Sequence, residues 1–550
     1  MILVLFLLLA GVLPFRMDFD AAVLYLTETD VVENIPQEVY EQYRQLADHP
    51  LDINNCSRSK LMSSPLFTPF QAASLLDYRS RGGDILSFTE LSLVDGFSEE
   101  LCKALTHFVI LKSTSPPSQT RYQGMQSSMM LRSLYKEGFH YSGKMHAEYA
   151  DKLELNYSFK DSFSPQTLSL CLRSPDDRWG LFLGDYSARF GQGLLLWSGF
   201  AMTGFNSLQS FRRNATGLSA TTSFTRGTHG LALQYGRSHN QFSILYSYPR
   251  LMALNYRHLS LRSSYGATLL ADYGGMYALA ADCRIGLPSL SISAEYVAQY
   301  SAPGLLHHAA MTSMVWTPRY GIKTALLGRY YQAGYQSLYG MASSALSSHS
   351  DEGGLALYFQ SPAVLVSMDC ATRLSEYQPQ CKALAQLSRQ FMLPFSLTLT
   401  STLRSATRYR PLDDVKLKED LRLDLSLNRG ELFLNTRYNV QWHKGMSCLV
   451  YFEPSWKGER LSASLRYARY NAPTWDDRIY CYEKDIPGYF YVPACYGDGW
   501  SLYVLAGYKF INKRFTHRLS FKASIARSDR GESKDMSRAE LKLQYQLLFF

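Results

Sequence analysis

Reactive side chains are the first place to look for chemistry, and here they form no recognisable site. The nine cysteines stand at 56, 102, 171, 283, 370, 381, 448, 481 and 495, without a Cys-x-x-Cys motif. The 12 histidines include one adjacent pair, His307 and His308, and no His-Glu-x-x-His or Gly-x-Ser-x-Gly occurs. The sequence therefore predicts no catalytic residue, no metal and no cofactor. Cys370 with Cys381, and Cys481 with Cys495, are spaced to pair in an oxidising compartment, although a scattered odd set is also typical of free thiols.

A glycine-rich phrase, LFLGDYSARFGQGLLLW at 181–197, is the next candidate. Its two clusters are Gly184, Asp185 and Tyr186, and then Gly191, Gln192 and Gly193. The phrase lacks the Lys-Ser/Thr and the strand-to-helix context of a phosphate-binding loop. Glycine in a strand pattern marks a bend or a close approach of another backbone. Two interpretations stay open: a structural bend, or a site inside the protein where its N-terminal part docks.

The elements that would position these residues are strands. From Arg121 to Phe550 apolar and polar residues alternate, as in LRLDLSLN at 421–428 and SLSISAEYVAQY at 289–300. Runs of 8 to 12 alternating residues exceed the five or six that are usual in soluble sheets. Strands of about 9 to 11 residues with one apolar face are typical of a bilayer-spanning barrel.

Composition agrees with this interpretation. The chain has 550 residues, 46% of them hydrophobic, with a mean hydropathy of −0.17. These values exclude a helical membrane protein, and the 39 Tyr, 29 Phe and 7 Trp exclude a disordered chain. Because alternate residues would face lipid and water, the mean hydropathy does not reveal the alternation of apolar and polar residues. The aromatic residues would lie at the membrane rims. We predict a mainly β fold: a large antiparallel transmembrane β-barrel of about 18–22 strands, preceded by a small all-α domain.

The connections and the last strand also fit an outer-membrane barrel. Leu287–Ser289 and Asn428–Gly430 are typical of short periplasmic turns, whereas 199–217, 337–354 and 471–498 are typical of long outer loops. The chain ends in AELKLQYQLLFF, an alternating strand with terminal aromatics. This ending resembles the signal read by the barrel-insertion machinery. Its candidate residues are Tyr545, Leu547, Phe549 and Phe550, with Phe549 in the place usually held by the last residue.

The N-terminal part has a different pattern of apolar residues. Residues 1–22 are predicted to be a signal peptide, since the apolar run Ile2–Leu13 is too short to span a bilayer as a helix. Residues 23–112 have helical spacing, 113–120 form the linker STSPPSQT, and 121–550 form the barrel. A signal peptide followed by a β-barrel predicts a protein of the outer membrane of a Gram-negative bacterium. Its helical domain is then expected in the periplasm.

Residues 51–109 resemble the tandem helix-hairpin-helix domain of competence-type DNA receptors. The matching phrases are Ile53–Asn55, Tyr78–Arg79 with Gly82 or Gly83, and two hairpins. The hairpin candidates are Pro65, Leu66, Phe67 and Thr68, and then Gly96, Phe97 and Ser98. The resemblance implies that the hairpin backbones contact DNA phosphates. However, the first hairpin has no glycine, and the second keeps Gly96 but has Ser98 where the family has its other glycine. Together with phrases 181–197 and 476–510, residues 51–550 resemble a family of Gram-negative outer-membrane barrels that carry such a domain, a family without an established activity.

Charge separates the two parts. Residues 1–32 carry −3 and residues 33–112 carry −4, so the remaining 438 residues carry +16 of the net +9. An acidic domain repels DNA, so we expect it to plug the lumen or to dock a periplasmic protein partner. The basic barrel suits lipopolysaccharide, an anion-preferring passage, or simply solvated charge. The predicted function is a channel, transport component or assembly scaffold in outer-membrane lipid. DNA uptake, with DNA as partner, and an outer-membrane hydrolase are the alternatives.

Overall fold

The computed structural model describes residues 17–29, 31–112, 125–199, 205, 207–221, 228–260, 262–287, 289–301, 304–319, 321–346, 349–394, 397–411, 415–512, 514–530 and 536–549. Residues 1–16 of the predicted signal peptide, the predicted linker 113–120 and Phe550 lie outside these ranges. In the described part of the chain, no helix is both long and apolar enough to cross a bilayer.

The N-terminal region, residues 17–112, is a compact helical domain. Its helices are α1 Phe19–Thr27, α2 Gln37–Asp48, α3 Arg58–Ser63, α4 Pro69–Gly82, α5 Phe88–Leu91 and α6 Glu99–Leu105, with a 3-10 turn at Val32–Asn34. Two short parallel strands, β1 Leu51–Asp52 and β2 Val109–Ile110, join its ends. Helix α1 begins before the predicted domain boundary at 23 and buries Ala22 and Val23 in the domain core, while that boundary itself stays a prediction.

Local sequence explains where these helices begin. Asp18, Ser57, Thr68, Ser87 and Ser98 each accept a hydrogen bond from a backbone N–H in the first turn of the helix that follows. Such caps satisfy donors that a helix N-terminus leaves free, and each contributes about 1 kcal/mol.

The rest of the chain is β-structure. Its strands are β3 Met125–Tyr135, β4 Phe139–Tyr149, β5 Leu153–Lys160, β6 Thr167–Arg173, β7 Trp179–Arg189, β8 Gly217–Ala220, β9 Thr228–Arg237, β10 Asn240–Ser247, β11 Leu251–Leu259, β12 Ser263–Asp272, β13 Met276–Gly286, β14 Leu290–Ser301, β15 Leu305–Arg319, β16 Ile322–Tyr331, β17 Glu352–Gln360, β18 Val364–Arg373, β19 Gln380–Leu393, β20 Leu397–Tyr409, β21 Lys416–Arg429, β22 Leu432–Trp442, β23 Met446–Lys457, β24 Leu461–Ala472, β25 Ile479–Tyr480, β26 Ala494–Cys495, β27 Gly497–Asn512, β28 Phe515–Asp529 and β29 Met536–Phe549.

The sheet closes into an antiparallel barrel because the last strand, β29, pairs with the first, β3. Its wall has 24 full strands, since β8 occupies the same side of β7 as β6 and continues it end to end. The predicted fold class is confirmed, but the predicted number of 18–22 strands is too low. The estimate assumed about 20 residues per strand and connection, whereas one set of connections has only two to five residues.

Alternation along the strands sorts residues between the two faces of the wall. In β14, Ile292 and Tyr296 face outward, while Ser293 and Glu295 face the lumen and are buried there. Exposed Leu, Ile, Phe, Tyr and Met side chains cover the outer face of most strands. So large a continuous apolar surface is what a lipid-facing wall requires.

The two ends of the barrel differ in the length of their connections. We call them the turn end, where every connection has two to five residues, and the loop end, which carries the long connections 190–227, 332–351 and 473–496. The predicted short turns at 287–289 and 428–430 lie at the turn end, and the three predicted long loops lie at the loop end. β3 begins and β29 ends at the turn end.

The lumen is wide enough to hold a folded domain. With strands about 4.8 Å apart and tilted by about 40°, a circular barrel of this strand number has a backbone diameter of about 48 Å. A compact domain of the length of residues 17–112 has a diameter of about 32 Å. Lumenal side chains and the three long loops then fill much of the remaining space.

Candidate functional site

The helical domain lies inside the barrel and contacts its wall through ion pairs on several sides. On the domain side the acids are Glu28, Glu33, Glu41 and Asp48; on the wall their partners are Lys323, Arg437, Lys144 and Arg518. The Glu33–Arg437 and Glu41–Lys144 distances are 2.6 and 3.2 Å. These partners come from β16, β22, β4 and β28, which are spread around the barrel, so the wall surrounds the domain.

Two of these acids have a lowered pKa. Burial alone would raise the pKa of Glu33, but Arg437 and Arg422 outweigh burial and hold that pKa at about 2. Burial likewise opposes ionisation of Asp48, yet Arg44 and Arg518 lower its pKa below the ordinary value. Asp48 also accepts a 2.8 Å hydrogen bond from Gln546 of β29. Both carboxylates are therefore stabilised in the charged form by the docked position.

At the turn end the domain is anchored by an ion pair of opposite polarity, in which the cation belongs to the domain and the carboxylates to the barrel. Lys60 bonds to Glu148, and to Asp151 at 2.9 Å, and Asp151 also accepts a 3.0 Å hydrogen bond from the Ser57 N–H. Burial opposes the charge of Lys60, but the two carboxylates raise its pKa above the ordinary value. Arg58 donates to the Ser238 carbonyl in the β9–β10 turn at 2.9 Å. Helix α3 is thus tied to two turns of the barrel.

Loop 473–496 folds inward from the loop end and completes the core of the helical domain. Phe490 is buried within that core, and its ring centroid lies 4.9 Å from that of Tyr40. The Tyr482 N–H donates to Glu33 at 3.1 Å, and the Tyr40 and Tyr482 hydroxyls lie 3.1 Å apart. The loop is fixed to the wall by Asp485, whose carboxylate pairs with Lys522 at 3.1 Å and Lys542 at 2.5 Å. Tyr482 therefore lies in the lumen and not at a membrane rim, where aromatic residues were expected.

The glycine phrase 181–197 shapes the wall and a second inward loop. Gly184 has φ +79°, and a Cβ there would lie 2.2 Å from the Leu168 carbonyl oxygen, so only glycine fits where β8 takes over from β6. The Asp185 carboxylate accepts from the Leu168 N–H at 2.8 Å, and the Tyr186 hydroxyl donates to the Tyr246 carbonyl at 2.9 Å. This geometry favours the bend interpretation of the first cluster.

The second glycine cluster is bound to Glu295 of β14. Its carboxylate accepts backbone hydrogen bonds from the N–H groups of Gln192 at 2.5 Å, Leu194 at 3.0 Å and Leu195 at 3.4 Å. A Cβ on Gly191 would lie 2.6 Å from this carboxyl carbon, and one on Gly193 would lie 2.6 Å from Arg213. Three converging N–H groups therefore satisfy the hydrogen-bonding capacity of this buried carboxyl group.

The far part of the same loop reaches the helical domain. Ser207 donates to the Thr27 carbonyl at 2.9 Å, and Gln209 donates to the Leu26 carbonyl at 2.6 Å, both at the end of α1. Loop 332–351 packs beside it, where the Tyr335 hydroxyl donates to the Leu194 carbonyl at 2.7 Å. All three long loops therefore turn into the lumen, and two of them contact the domain.

The two predicted hairpins connect α3 to α4 and α5 to α6. Leu66, Phe67 and Phe97 are buried in the domain core, with the two phenylalanine rings 5.9 Å apart. Gly96 has φ +89° and packs against Phe70. Pro65, Thr68 and Ser98, together with Leu66, Phe67 and Gly96, line the larger of two cavities between the domain and the wall. The hairpins therefore face the barrel lumen.

That larger cavity measures about 740 Å³ and is rich in arginine. It lies near the turn end, since the turns after β11, β13, β15 and β17 contribute to its lining. The smaller cavity, of about 190 Å³, lies between α2 and the wall. Unpartnered polar atoms line it: Arg44 Nε, both ring nitrogens of His49, Ser158 Oγ, Ser187 Oγ and Gln546 Oε1. Burial and, second, His146, whose ring lies 4.8 Å away, lower the pKa of His49 to about 4.

The C-terminal strand has the register expected for the insertion signal. Tyr545, Leu547 and Phe549 alternate with buried Gln544 and Gln546, so the aromatic and aliphatic face points outward. Phe549 packs against Phe515 with a centroid distance of 5.3 Å. Recognition of this strand by the insertion machinery stays a prediction.

Of the two predicted cysteine pairs, Cys370–Cys381 is a disulfide between β18 and β19 near the loop end. Cys481 and Cys495 are both buried as free thiols in one cluster. Within the described residues no group of three or more His, Cys, Asp or Glu side chains is placed to hold a metal ion.

Sequence reasoning missed the residues that join the two parts of the chain. Glu33 and Arg437 lie 404 positions apart, and Glu295 and Gln192 lie 103 apart, so no local motif connects them. One available signal was the opposite charge of the two segments. It predicted an acidic domain and a basic barrel but not their pairing.

Several solved structures align with most of this chain at low sequence identity. No protein-family model matches the chain, and no curated protein matches it. The translocation pore of the P pilus usher PapC aligns with 78% of this chain and 99% of its own length, at 10% identity and a TM-score of 0.36. PapC in an E. coli P pilus tip assembly intermediate with PapD, PapK and PapG aligns with 79% of this chain and 63% of its own, at 11% identity and a TM-score of 0.44. Pseudomonas aeruginosa OccK5 (OpdH) aligns with 78% and 100%, at 10% identity and a TM-score of 0.29.

Proposed function

We propose that this protein is an outer-membrane transport channel or assembly scaffold whose N-terminal helical domain plugs the barrel from the periplasmic side. The observation that carries the proposal is the fit of the acidic domain into the basic lumen. Four carboxylates of the domain meet four cations from separate strands, and Phe490 of loop 473–496 joins the domain core. A surface made only for solvent would not bury these charges.

The orientation follows from the connections. Short turns are periplasmic and long loops extracellular in bacterial outer-membrane barrels. The turn end, where β3 begins, would then face the periplasm, so the helical domain enters from the side on which an exported chain arrives. The apolar outer face would contact lipid, the loop end would meet lipopolysaccharide, and Tyr545, Leu547, Phe549 and Phe550 would be read by the insertion machinery.

Opening requires the domain to move. The lumen of a barrel this wide conducts water and solutes unless it is filled. The domain and loops 190–227, 332–351 and 473–496 occupy it together, and release of the domain removes its share of the contacts that hold two of these loops inward. A periplasmic protein partner that binds the released domain would favour the open state by mass action. In this proposal, the helical domain is both plug and partner-docking module.

The direct test is a cleavable linker. A protease site is placed in 113–120, and the purified protein in detergent is cut and passed over a sizing column, with an uncleavable scrambled site as control. We expect the domain to stay bound at neutral pH and to leave in mild denaturant. Planar-bilayer conductance is then measured before and after release. A large rise on release supports the plug; equal conductance in both samples contradicts it.

The nucleic-acid alternative is tested on the same material. Leu66, Phe67 and Phe97 are buried, and the hairpins face a lumenal cavity of about 740 Å³, which is too small to admit a DNA duplex. We expect no salt-sensitive binding of duplex DNA to the uncut protein in a filter assay. Binding in the micromolar range by the uncut protein would favour DNA uptake instead.

A further inference from the structure

The larger cavity between the hairpins and the wall carries positive charge that the protein itself does not neutralise. Five arginines line it: Arg189, Arg212, Arg213, Arg262 and Arg284. Among the ion pairs of the described residues, none joins any of these five to a carboxylate. The lining also contains Lys323, but its charge is matched by Glu28 at 3.2 Å. The side chains that line the cavity therefore carry a summed charge of about +5 at neutral pH.

The partners that these arginines do have are neutral. Arg284 donates to the Asn214 side-chain oxygen at 2.8 Å, and Arg189 donates to the Ser198 carbonyl at 3.1 Å. Arg213 is only 6% exposed and donates to the Gln192 carbonyl at 2.9 Å and to Ser343 Oγ at 2.7 Å. Neutral oxygens fix the orientation of a guanidinium but leave its charge uncompensated, which is costly where water is scarce.

Some N–H donors of these arginines have no acceptor in the protein. The Nε atoms of Arg212 and Arg213 are buried and have no hydrogen-bond partner. The nearby Glu295 carboxylate already accepts three backbone N–H groups of the 192–195 segment. The first turn of α4, with Phe70 and Gln71, also lines the cavity, and a helix N-terminus adds positive potential.

We propose that this cavity binds a small, multiply charged molecule that bears phosphate groups. Arginine presents planar donors that match phosphate oxygens, and a volume of about 740 Å³ is that of a small-molecule site. A single phosphate would leave most of the cavity empty, so a pyrophosphate or a larger organic phosphate fits it better. Lining by four turn-end connections makes the periplasmic side the side of entry.

The inference rests on the docked position of the helical domain, because the hairpins form one wall of the cavity. The bound anion would link the domain to β13 and to loop 190–227 through charge. It would thus strengthen docking and act as a ligand of the closed state. Conduction by the barrel is not needed for the site to exist.

The test is a titration of the full-length protein in detergent, by calorimetry at low ionic strength, with two sources of the same chemistry. Inorganic pyrophosphate represents a free phosphate, and phosphatidic acid in mixed micelles represents a lipid headgroup. We expect micromolar binding of at least one of them, and which one binds identifies the source. Chloride at matched ionic strength should give no saturable signal.

The variant is the double substitution Arg212→Gln with Arg284→Gln, and the matched control is Arg460→Gln, an exposed arginine at the same end of the barrel. We expect at least tenfold weaker binding in the double variant, because two charged contacts to the anion are lost, and unchanged affinity in the control. Removing uncompensated charge should not impair folding, which the heat-dependent gel shift verifies. Absence of binding to both probes, or equal affinity in all proteins, overturns the inference.

The linker cleavage assay separates this outcome from failure of the plug. If the domain is retained but no phosphate binds, the anion site is wrong and the plug stands. If the domain is not retained without denaturant, the plug fails first. After deliberate release, the barrel alone should lose phosphate affinity; unchanged affinity would contradict the part played by the hairpins.

Discussion

Acidification should release the helical domain through His49. This residue follows α2 and lines the smaller cavity, and both of its ring nitrogens are buried without a hydrogen-bond partner. The charged or titratable groups around it are His146 and Glu148 on β4, Lys60 on α3 and Asp48 on α2. Burial first, and His146 second, lower the pKa of His49 to about 4, while Asp48 and Glu148 act in the opposite direction. The docked state therefore holds His49 neutral.

The size of the pH effect on domain release follows from the difference between the pKa of His49 in the docked and in the released state. In the released domain the wall is gone, and His49 returns to an ordinary pKa of about 6.5. Because the docked pKa is lower, docking is fully stable above pH 6.5 and weakens as the pH falls from 6.5 to 4. At pH 5 the released state binds more protons, and the release equilibrium shifts by about 30-fold, or ~2 kcal/mol. The limit below pH 4 is about 300-fold.

The assay is retention of the cut domain on a sizing column between pH 7.5 and pH 4.5. His49→Gln, which cannot be protonated, should flatten the profile over this range. His443→Gln, at a loop-end turn, removes one histidine elsewhere and should leave the profile unchanged. The reasoning is refuted if wild type shows no release above pH 4.5, or if His49→Gln releases with the same midpoint as wild type.

Three further predictions concern the ion pairs, the bend and the thiols. Glu33→Gln should weaken docking by up to about 3 kcal/mol at neutral pH and remove the part of acid release that lies between pH 4.5 and 2, measured as retention of the cut domain. Gly184→Ala should lower the temperature of the gel-mobility shift of the folded barrel, because its Cβ would meet the Leu168 carbonyl, at a cost of at least about 2 kcal/mol. Gly430→Ala, where a Cβ meets open space at φ +63°, should be much milder. Alkylation of the denatured, unreduced protein should label seven cysteines and spare Cys370 and Cys381, as counted by mass spectrometry.

The sequence predicted those features that depend on local periodicity. Alternation at 289–300 and 421–428 identified β14 and β21, and the faces assigned to Tyr545, Leu547 and Phe549 are those observed. Loop lengths alone placed 199–217, 337–354 and 471–498 at one end. The strand number was underestimated because turn-end connections are shorter than the average assumed.

What could not be predicted is where the long loops go. A loop of 24 residues such as 473–496 has the same composition whether it projects outward or folds inward. Its direction is decided by contacts to residues far along the chain, such as those of Asp485 with Lys522 and Lys542, and of Phe490 with Tyr40. Likewise Glu295 stands in an ordinary alternating strand, and only the closed barrel brings it to the glycine cluster.

The distribution of charge inside the lumen separates contacts that hold the plug from a site that needs a ligand. Where the domain meets an isolated cation of the wall, it presents a carboxylate, as Glu33 does to Arg437 and Asp48 does to Arg518. Toward the five arginines of the larger cavity it presents uncharged hairpin residues, namely Pro65–Thr68, Gly96 and Ser98, and its one lining carboxylate, Glu28, is paired with Lys323. The domain does not lack acids, since Asp77 and Glu99 pair with Arg81 and Lys103 on its exposed helices. If those arginines served docking alone, a carboxylate at one of the hairpin positions that line the cavity would lower the free energy of the docked state. Their neutral surroundings are therefore better explained by an anion that arrives from solution and binds between the plug and the wall.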